Sequence, residues 1–248
     1  MKNQIPYQII RWKYSLSPRD LSAWMHTYFQ DDEYPNYHGR EYKNIQFKRD
    51  KREIIVIAYG QDVSTLLEHH ILYDHQLFVK RLKINYNGKI PEPVVESLRS
   101  ADVEITRKPY IYYTPNYLPF GNKEKVDLYY NILEHSLIEK GEKYWQWIDN
   151  SMNEFLEDIL HSHIFGFLQS VSANFVFNDI DIKIFRPIRS TPTGTRYFKE
   201  SDNKNSDNKE QRILFKKFDL YFSTNVLMPH LVGLGNSINI GYGTIYRK

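Results

Sequence analysis

The sequence of 248 residues contains no cysteine. Disulfide bonds, thiolate zinc sites and a cysteine nucleophile are therefore excluded, because each of them needs a thiol. Any acid–base or covalent chemistry in this chain must use histidine, lysine, tyrosine or carboxylate side chains.

Long hydrophobic runs are also missing. No apolar stretch approaches the ~18–20 residues that a membrane-spanning helix needs, and the first six residues lack the apolar stretch of a secretory signal. We therefore expect a cytoplasmic protein without a membrane partner. With 41% hydrophobic residues, a chain of this length is expected to build two domains of about 100 residues each.

The small net charge of +3 conceals strongly basic segments. Residues 40–52 carry six basic and two acidic side chains, whereas 77–89 and 183–199 carry basic side chains and no acidic ones. Residues 123–160 instead carry nine acidic side chains against four basic ones. Basic segments on several predicted strands favour a nucleic-acid partner, with ordinary solvated charge as the alternative interpretation.

The first 86 residues predict one ferredoxin-like domain. Ser17 and Pro18 begin a helix as its cap and first helical residue, and apolar residues follow at helical spacing. The predicted elements are a strand at 7–16, a helix from 17, hairpin strands at 44–49 and 53–59, a helix from 62 and a strand at 77–86. This β-α-β-β-α-β order also underlies single-strand RNA-binding domains.

The turn Asn87-Gly88 and two nearby prolines predict a linker over residues 87–109. Residues 110–248 then form the second predicted domain, in which the polar tract 200–209 is expected to be a mobile hairpin tip. Its predicted elements are a short strand at 110–114, a long helix with an apolar stripe over 152–168, and strands at 174–185, 213–224 and 244–247.

Four of the eleven glycines lie within residues 232–243. They form two Gly-x-Gly pairs, Gly233/Gly235 and Gly241/Gly243, on either side of a short polar stretch. Such glycines allow positive φ angles and let backbone N–H groups turn outward, where a phosphate oxygen can accept them. The alternative is a glycine-rich hairpin that binds no ligand.

The histidines do not predict a metal site. His161 and His163 are two residues apart on the predicted long helix, so they point to roughly opposite sides. The adjacent His69 and His70 are subject to the same objection. Carboxylates also lack the clustered spacing of a two-metal nuclease, and we expect no metal or cofactor.

Four stretches together resemble the CRISPR-associated repeat-processing endoribonucleases of the repeat-associated RNA-binding superfamily. The first is residues 37–48, with His38 before a Tyr-x-x-Ile-Gln-aromatic-Lys strand. The second is the Thr-Pro-aromatic-Leu type of signature over residues 113–119. The others are residues 214–229, which resemble the penultimate strand of the family, and the glycine loop 232–243.

The resemblance implies an α+β fold of tandem ferredoxin-like (RRM-like) domains and cleavage of CRISPR repeat RNA without a metal. In that reaction the RNA's own 2′-hydroxyl attacks the adjacent phosphate, leaving a 2′,3′-cyclic phosphate and a 5′-hydroxyl. The implied partners are repeat RNA and other CRISPR effector subunits, with the protein acting as a monomer or homodimer. A non-catalytic subunit that holds guide RNA is the alternative, and a generic tandem RNA-binding protein is a third.

Within this resemblance His38 is the candidate base, because an unperturbed histidine titrates near ~6.5. Lys43 is the candidate for charge stabilisation and Tyr42 for positioning, although neighbours on a strand face opposite ways, so one assignment is expected to fail. His26 is the second candidate base. The predicted RNA-binding residues are Lys48, Arg49, Gly233, Gly235, Asn236, Ser237, Gly241 and Gly243.

Two departures from the family pattern bear on these assignments. Asn36 stands where members often carry a second histidine, which favours the non-catalytic alternative. Asn236 and Ile240 stand where the family's loop tends to be basic. Phosphate affinity at the loop is therefore expected to depend on backbone N–H groups.

Overall fold

The computed structural model describes residues 2–13, 45–50, 53–60, 94–121, 124–131, 144–171, 176–198, 211–236 and 242–248. The strands are β1 (Lys2–Trp12), β2 (Ile45–Asp50), β3 (Glu53–Tyr59), β4 (Val94–Val95), β5 (Arg99–Tyr117), β6 (Ile182–Phe198), β7 (Gln211–Leu227) and β8 (Tyr246–Arg247). The long helix α1 is Tyr144–Ser170, a 3₁₀ turn covers Phe177–Asp179, and residues 124–131 are helical.

The eight strands form one sheet in the order β2-β3-β1-β5-β7-β6, with β4 added on β1 and β8 added on β5. Strand β1 connects the two halves, because Tyr7–Trp12 pairs antiparallel with β3 while Lys2–Tyr7 pairs antiparallel with β5. The sheet therefore runs without a break from the strand that follows the His38 segment to the strands near the C-terminus.

Both predicted hairpins are present, but the strand predicted at 174–185 is wrong in its bounds, because Phe177–Asp179 forms a 3₁₀ turn and β6 is Ile182–Phe198. Strands β2 and β3 pair in register from Ile45–Ala58 to Asp50–Glu53. Strands β6 and β7 pair as far as Phe198–Gln211, which are the described residues on either side of the predicted polar tip. The tip 200–209 itself lies outside the described residues, as do the helices predicted from residues 17 and 62 and the strand at 77–86.

The predicted short strand at 110–114 is wrong in length, because β5 begins at Arg99. The second half of the predicted linker is thus β-structure, held by the pairing of Arg99–Glu104 with β1. The register of β5 against β7 shifts between Ile105 and Tyr110, and such an irregularity bends a strand locally. The division into residues 1–86, 87–109 and 110–248 stays a prediction.

The helix α1 packs its apolar stripe on one face of the sheet. Leu156, Leu160, Ile164 and Phe167 recur at helical spacing and are fully buried, which confirms the stripe predicted from the sequence. Each such side chain contributes about 1.5–3 kcal/mol when it leaves water. No helix among the described residues is both long and apolar enough to cross a membrane.

The core under α1 extends across both halves of the sheet. On the C-terminal side it includes Tyr112 and Phe222, whose rings stack at 5.5 Å. On the N-terminal side it includes Ile57 and Tyr59, and the Tyr59 ring meets Phe167 edge-on at 5.8 Å. The helix therefore fixes the positions of strands from both halves relative to each other.

Candidate functional site

The glycine loop forms a narrow antiparallel ladder. Gly233 is bridged to Thr244, the Ile245 N–H donates to the Val232 carbonyl at 2.8 Å, and the Leu234 N–H donates to the Gly243 carbonyl at 2.9 Å. These bonds bring the Gly233/Gly235 pair beside Gly243. Residues 237–241, which include the predicted site residues Ser237 and Gly241, lie outside the described part of the chain.

Two glycines of this loop adopt backbone angles that disfavour other residues. Gly235 has φ of +94° and Gly243 has φ of +62°, in the region that costs an L-residue roughly 1–2 kcal/mol. Space is lacking as well, because a Cβ on Gly235 would lie 2.8 Å from the Leu118 carbonyl oxygen, and one on Gly243 would strike the Leu234 carbonyl. Both positions therefore require glycine.

The backbone donors of the loop bind protein acceptors. The Gly233 N–H donates to the Gln46 side-chain oxygen at 2.7 Å, the Asn236 N–H to the Leu118 carbonyl at 2.9 Å, and the Gly243 N–H to the Asn116 carbonyl at 3.3 Å. The expectation that these three N–H groups turn outward toward a phosphate is therefore wrong. RNA binding by Gly233, Gly235, Asn236 and Gly243 stays a prediction and must use other atoms of these residues or the N–H of Gly235.

The Asn236 side chain fixes the loop on the signature 113–119. Its Nδ2 donates to the Leu118 carbonyl at 3.2 Å and to the Pro119 carbonyl at 2.8 Å. The signature is held in turn by the penultimate strand, because the Asn116 N–H donates to Asp219 Oδ1 at 2.8 Å. Three of the four stretches that carry the family resemblance thus contact one another.

Gln46 brings the fourth stretch to the same place. It lies in β2, it is fully buried, and it is the residue that accepts the Gly233 N–H across 187 positions of sequence. Gln46 is not among the site residues predicted from the sequence. The available signal was a polar residue inside a strand whose neighbours are apolar, which is what a buried hydrogen bond requires.

The buried Tyr117 of the signature contacts the partly buried His163 of α1. The Tyr117 hydroxyl lies 2.7 Å from His163 Nδ1, and which of the two donates depends on the histidine tautomer. Burial, with a smaller effect from Lys125, lowers the pKa of His163 to about 3, so the ring is neutral near pH 7. His161 instead contacts the Ile180 carbonyl with its Nε2 at 3.1 Å, so the two rings have different partners.

Lys48 is not at the surface. It lies two residues after Gln46 in β2, it is 2% exposed, and its Nζ has no hydrogen-bond partner among the described residues. Burial lowers the pKa of this lysine to about 7. The prediction that Lys48 meets RNA phosphates from the surface conflicts with this position. Arg49 follows it in the same strand, opposite Ile54.

The predicted catalytic residues His38, Tyr42 and Lys43 lie outside the described residues, as does His26. The sequence places Lys43 two residues before the start of β2 at Ile45. The described part of the site is therefore the strand that follows these residues, together with the loop that Gln46 contacts.

The whole architecture matches known structures. Over 99% of this chain and 100% of the other, it superposes on a crystal structure of Cas6b with a TM-score of 0.66 at 19% sequence identity. A second crystal structure, of the CRISPR RNA processing endoribonuclease Cas6b, gives a TM-score of 0.62 at 21% identity with the same coverage. This chain shares the Cas6b fold.

The Cas6b likeness confirms the predicted α+β class with tandem ferredoxin-like domains, and it confirms the sequence resemblance at the level of the fold. The sequence matches no protein-family model. It matches no curated protein either. The similarity to Cas6b therefore lies in the arrangement of strands and helix.

Proposed function

We propose that this protein is a CRISPR repeat-processing endoribonuclease that cuts repeat RNA into guide RNAs. The observation that carries the proposal is the hydrogen bond from Gly233 to Gln46, because it joins the glycine loop to the strand that follows His38. Both stretches belong to the family pattern, and they lie so far apart in the sequence that chain proximity does not explain their contact. The Cas6b fold over nearly the whole chain supports the same function.

In the proposed reaction the 2′-hydroxyl of the nucleotide before the cut attacks the adjacent phosphorus. The new O2′–P bond forms as the P–O5′ bond breaks, His38 accepts the proton from the 2′-hydroxyl, and the leaving 5′-oxygen takes a proton from water to become a hydroxyl. Lys43 stabilises the charge on the phosphorane and Tyr42 positions the ribose or phosphate. The required features are proximity, a base near neutral pKa and a fixed cation.

We further propose that the reaction needs no metal ion, because the RNA supplies its own nucleophile. The sequence offers neither thiolates nor a clustered carboxylate pattern that would hold two metals. Labelled repeat RNA incubated with the protein in EDTA should therefore be cut as fast as without the chelator. A strict requirement for Mg²⁺ would remove this mechanism.

The substitution His38→Ala tests the assignment of the base. A general acid–base group typically contributes ~10²–10⁴ in rate, so cleavage should fall by that factor while RNA affinity changes only a few-fold. His26→Ala tests the second candidate base and should cut at the wild-type rate if His38 is the base. RNA with a 2′-deoxyribose before the cut should bind and stay intact. Cleavage at the wild-type rate by His38→Ala would move the base elsewhere, with His26 the first to examine.

The non-catalytic alternative has one observation in its favour, the asparagine at position 36. It predicts a wild-type protein that binds repeat RNA tightly and never cuts it. Under either function the affinity for RNA should fall steeply as the salt concentration rises, because phosphate contacts release counterions. The burial of Lys48 removes it from the expected phosphate ligands. The remaining candidates are Arg49, and Lys80 and Arg81 of the basic segment 77–89.

A further inference from the structure

The outward face of the C-terminal half of the sheet is unusually aromatic. Along β5 and β7, Tyr112 and Phe222 point into the core, so their neighbours Ile111, Tyr113 and Tyr221 point outward. Solvent-facing positions of an antiparallel sheet are normally polar. Here Tyr221 is 43% exposed and Ile111 is 45% exposed, so this face presents an apolar surface to solvent.

The aromatic side chains form a row across three neighbouring strands. Phe185 of β6 is the register partner of Tyr221, and Tyr221 is the partner of Tyr113, whereas Tyr246, the partner of Tyr113 in β8, packs against the core. Residues directly opposite each other on paired strands share a face of the sheet. The Tyr113 and Tyr221 rings stack at 4.6 Å with an interplanar angle of 28°, which makes them the centre of the row.

Cationic groups flank this aromatic row. Lys248 Nζ lies 5.6 Å from the centre of the Tyr113 ring, and the exposed Lys183 is the register partner of Ser223, two residues beyond Tyr221. The nearest acidic residues along the same strands are Asp219 and Asp181. The first accepts the Asn116 N–H, and the second lies two residues before Lys183.

We propose that this aromatic row is a stacking platform for unpaired bases of the RNA, with Lys183 and Lys248 contacting the adjoining phosphates. The proposal rests on the proposed function, because it takes RNA as the ligand. Aromatic side chains on a sheet stack two or three bases in known single-strand binders, and stacking tolerates any base because every base has a π-face. Flanking positive charge complements the phosphates and argues against a basic or purely apolar occupant.

The test measures binding without cleavage, using repeat RNA that carries a 2′-deoxyribose before the cut. Tyr221→Ala should weaken binding by roughly five- to 100-fold, the range expected for one lost base–aromatic stack. Tyr221→Phe should restore the affinity. Phe177→Ala is the control, because Phe177 is similarly exposed at 42% but packs on His161 of α1, away from this row.

Abasic nucleotides provide the decisive readout. A set of RNAs carries two neighbouring abasic nucleotides at successive places in the unpaired region. At one place the abasic pair should weaken RNA binding by the wild type but should not weaken the already reduced binding by Tyr221→Ala. Lys248→Gln should reduce the salt dependence of binding by about 0.7 in log–log slope, the value for one phosphate of a single strand. A role in packing alone would change neither the abasic profile nor the slope.

Two failures can be told apart. If wild-type protein binds and cuts repeat RNA while Tyr221→Ala binds it equally well, the platform is wrong and the proposed function stands. If wild-type protein neither binds nor cuts repeat RNA, the proposed function is wrong and the platform with it. A change in sedimentation of the RNA-free protein on Tyr221→Ala would assign the surface to a second copy of this chain instead.

Discussion

The side-chain oxygen of Gln46 accepts the backbone N–H of Gly233 at 2.7 Å, inside the protein and across 187 positions of sequence. This buried bond fixes strand β2 and the glycine loop relative to each other. A catalytic segment directly before β2 and an RNA-binding loop after Gly233 would both depend on it. This contact links the two halves of the proposed active site.

Replacing Gln46 by leucine should therefore destabilise the protein and impair cleavage. Leucine is apolar and of similar size, so the main loss is the partner of the buried Gly233 N–H, at a cost of about 1–3 kcal/mol in the free energy of unfolding. Urea unfolding measures that change. Gln4→Leu is the control, because Gln4 is exposed and bonds only at 3.3 Å to Asp102. Equal stability of the two variants would show that the Gln46 bond contributes little.

Glycine substitutions should separate backbone strain from steric overlap. Gly60 and Gly243 both have positive φ, +84° and +62°, but a Cβ on Gly60 meets nothing within 4 Å whereas one on Gly243 strikes the Leu234 carbonyl. Gly60→Ala should cost about 1–2 kcal/mol from strain alone. Gly243→Ala should cost a further ~1–3 kcal/mol, because a backbone carbonyl cannot rotate away.

Thermal and urea unfolding of these two glycine variants test the comparison. We expect Gly243→Ala to lower the free energy of unfolding as well as the RNA affinity, because the N–H groups of Gly233, Asn236 and Gly243 bind protein acceptors. Similar unfolding free energies for both variants would mean that the loop relaxes around the added methyl group. Position 243 would then require glycine only because of its positive φ.

The sequence predicts those parts of the fold that local patterns determine. The β2–β3 hairpin follows from alternation around a polar turn, and α1 follows from its apolar stripe, so both could be placed in advance. The length of β5 could not, because residues 99–104 are held by β1, almost a hundred residues earlier. This part of the strand was not predicted because Pro91 and Pro93 precede it and because the charged residues 107–108 interrupt the apolar pattern of β5.

The stretches that contact one another could be named from the sequence, but their contacts could not. Glycine spacing and the motif around His38 indicated which stretches matter, whereas the destination of each N–H group depends on pairing between distant strands. Lys48 shows the same limit. A lysine beside Arg49 in a basic segment suggests a surface position, but Gln46 and Lys48 lie on the same side of β2, and Gln46 is buried against the glycine loop.

The buried Lys48 should make stability depend on pH in the alkaline range. Its pKa is about 7 in the folded protein against 10.5 for the ordinary side chain, so between these values the unfolded chain binds the proton that the folded protein lacks. Stability therefore rises with pH across this window, by at most about 1.4 kcal/mol per pH unit. Below pH 7 the full penalty for burying the charge applies.

Lys48→Met should flatten this pH dependence and stabilise the protein at pH 7, because methionine fills the site without an ammonium group. Urea unfolding at several pH values from 7 to 9.5 measures the effect. Lys108→Met serves as the control, since Lys108 is exposed on β5 and its replacement should leave the slope unchanged. A wild-type stability that stays level from pH 7 to 9.5 would place the Lys48 ammonium in contact with water or an acidic group.

His163 should produce the corresponding effect in acid. Its pKa is lowered from 6.5 to about 3 by burial, so below pH 6.5 the unfolded chain takes up a proton that the folded protein excludes. Stability is thus unaffected above pH 6.5 and is lost as the pH falls toward 3, at a rate of up to about 1.4 kcal/mol per unit.

His163→Gln should remove that loss. Tyr117→Phe should lower the free energy of unfolding by about 1–3 kcal/mol at neutral pH, because it leaves the His163 Nδ1 without its partner. Tyr7→Phe, at a partly exposed tyrosine, should cost much less. If wild type and His163→Gln lose stability in parallel between pH 6 and 4, protonation of His163 does not control acid unfolding, and carboxylates elsewhere do.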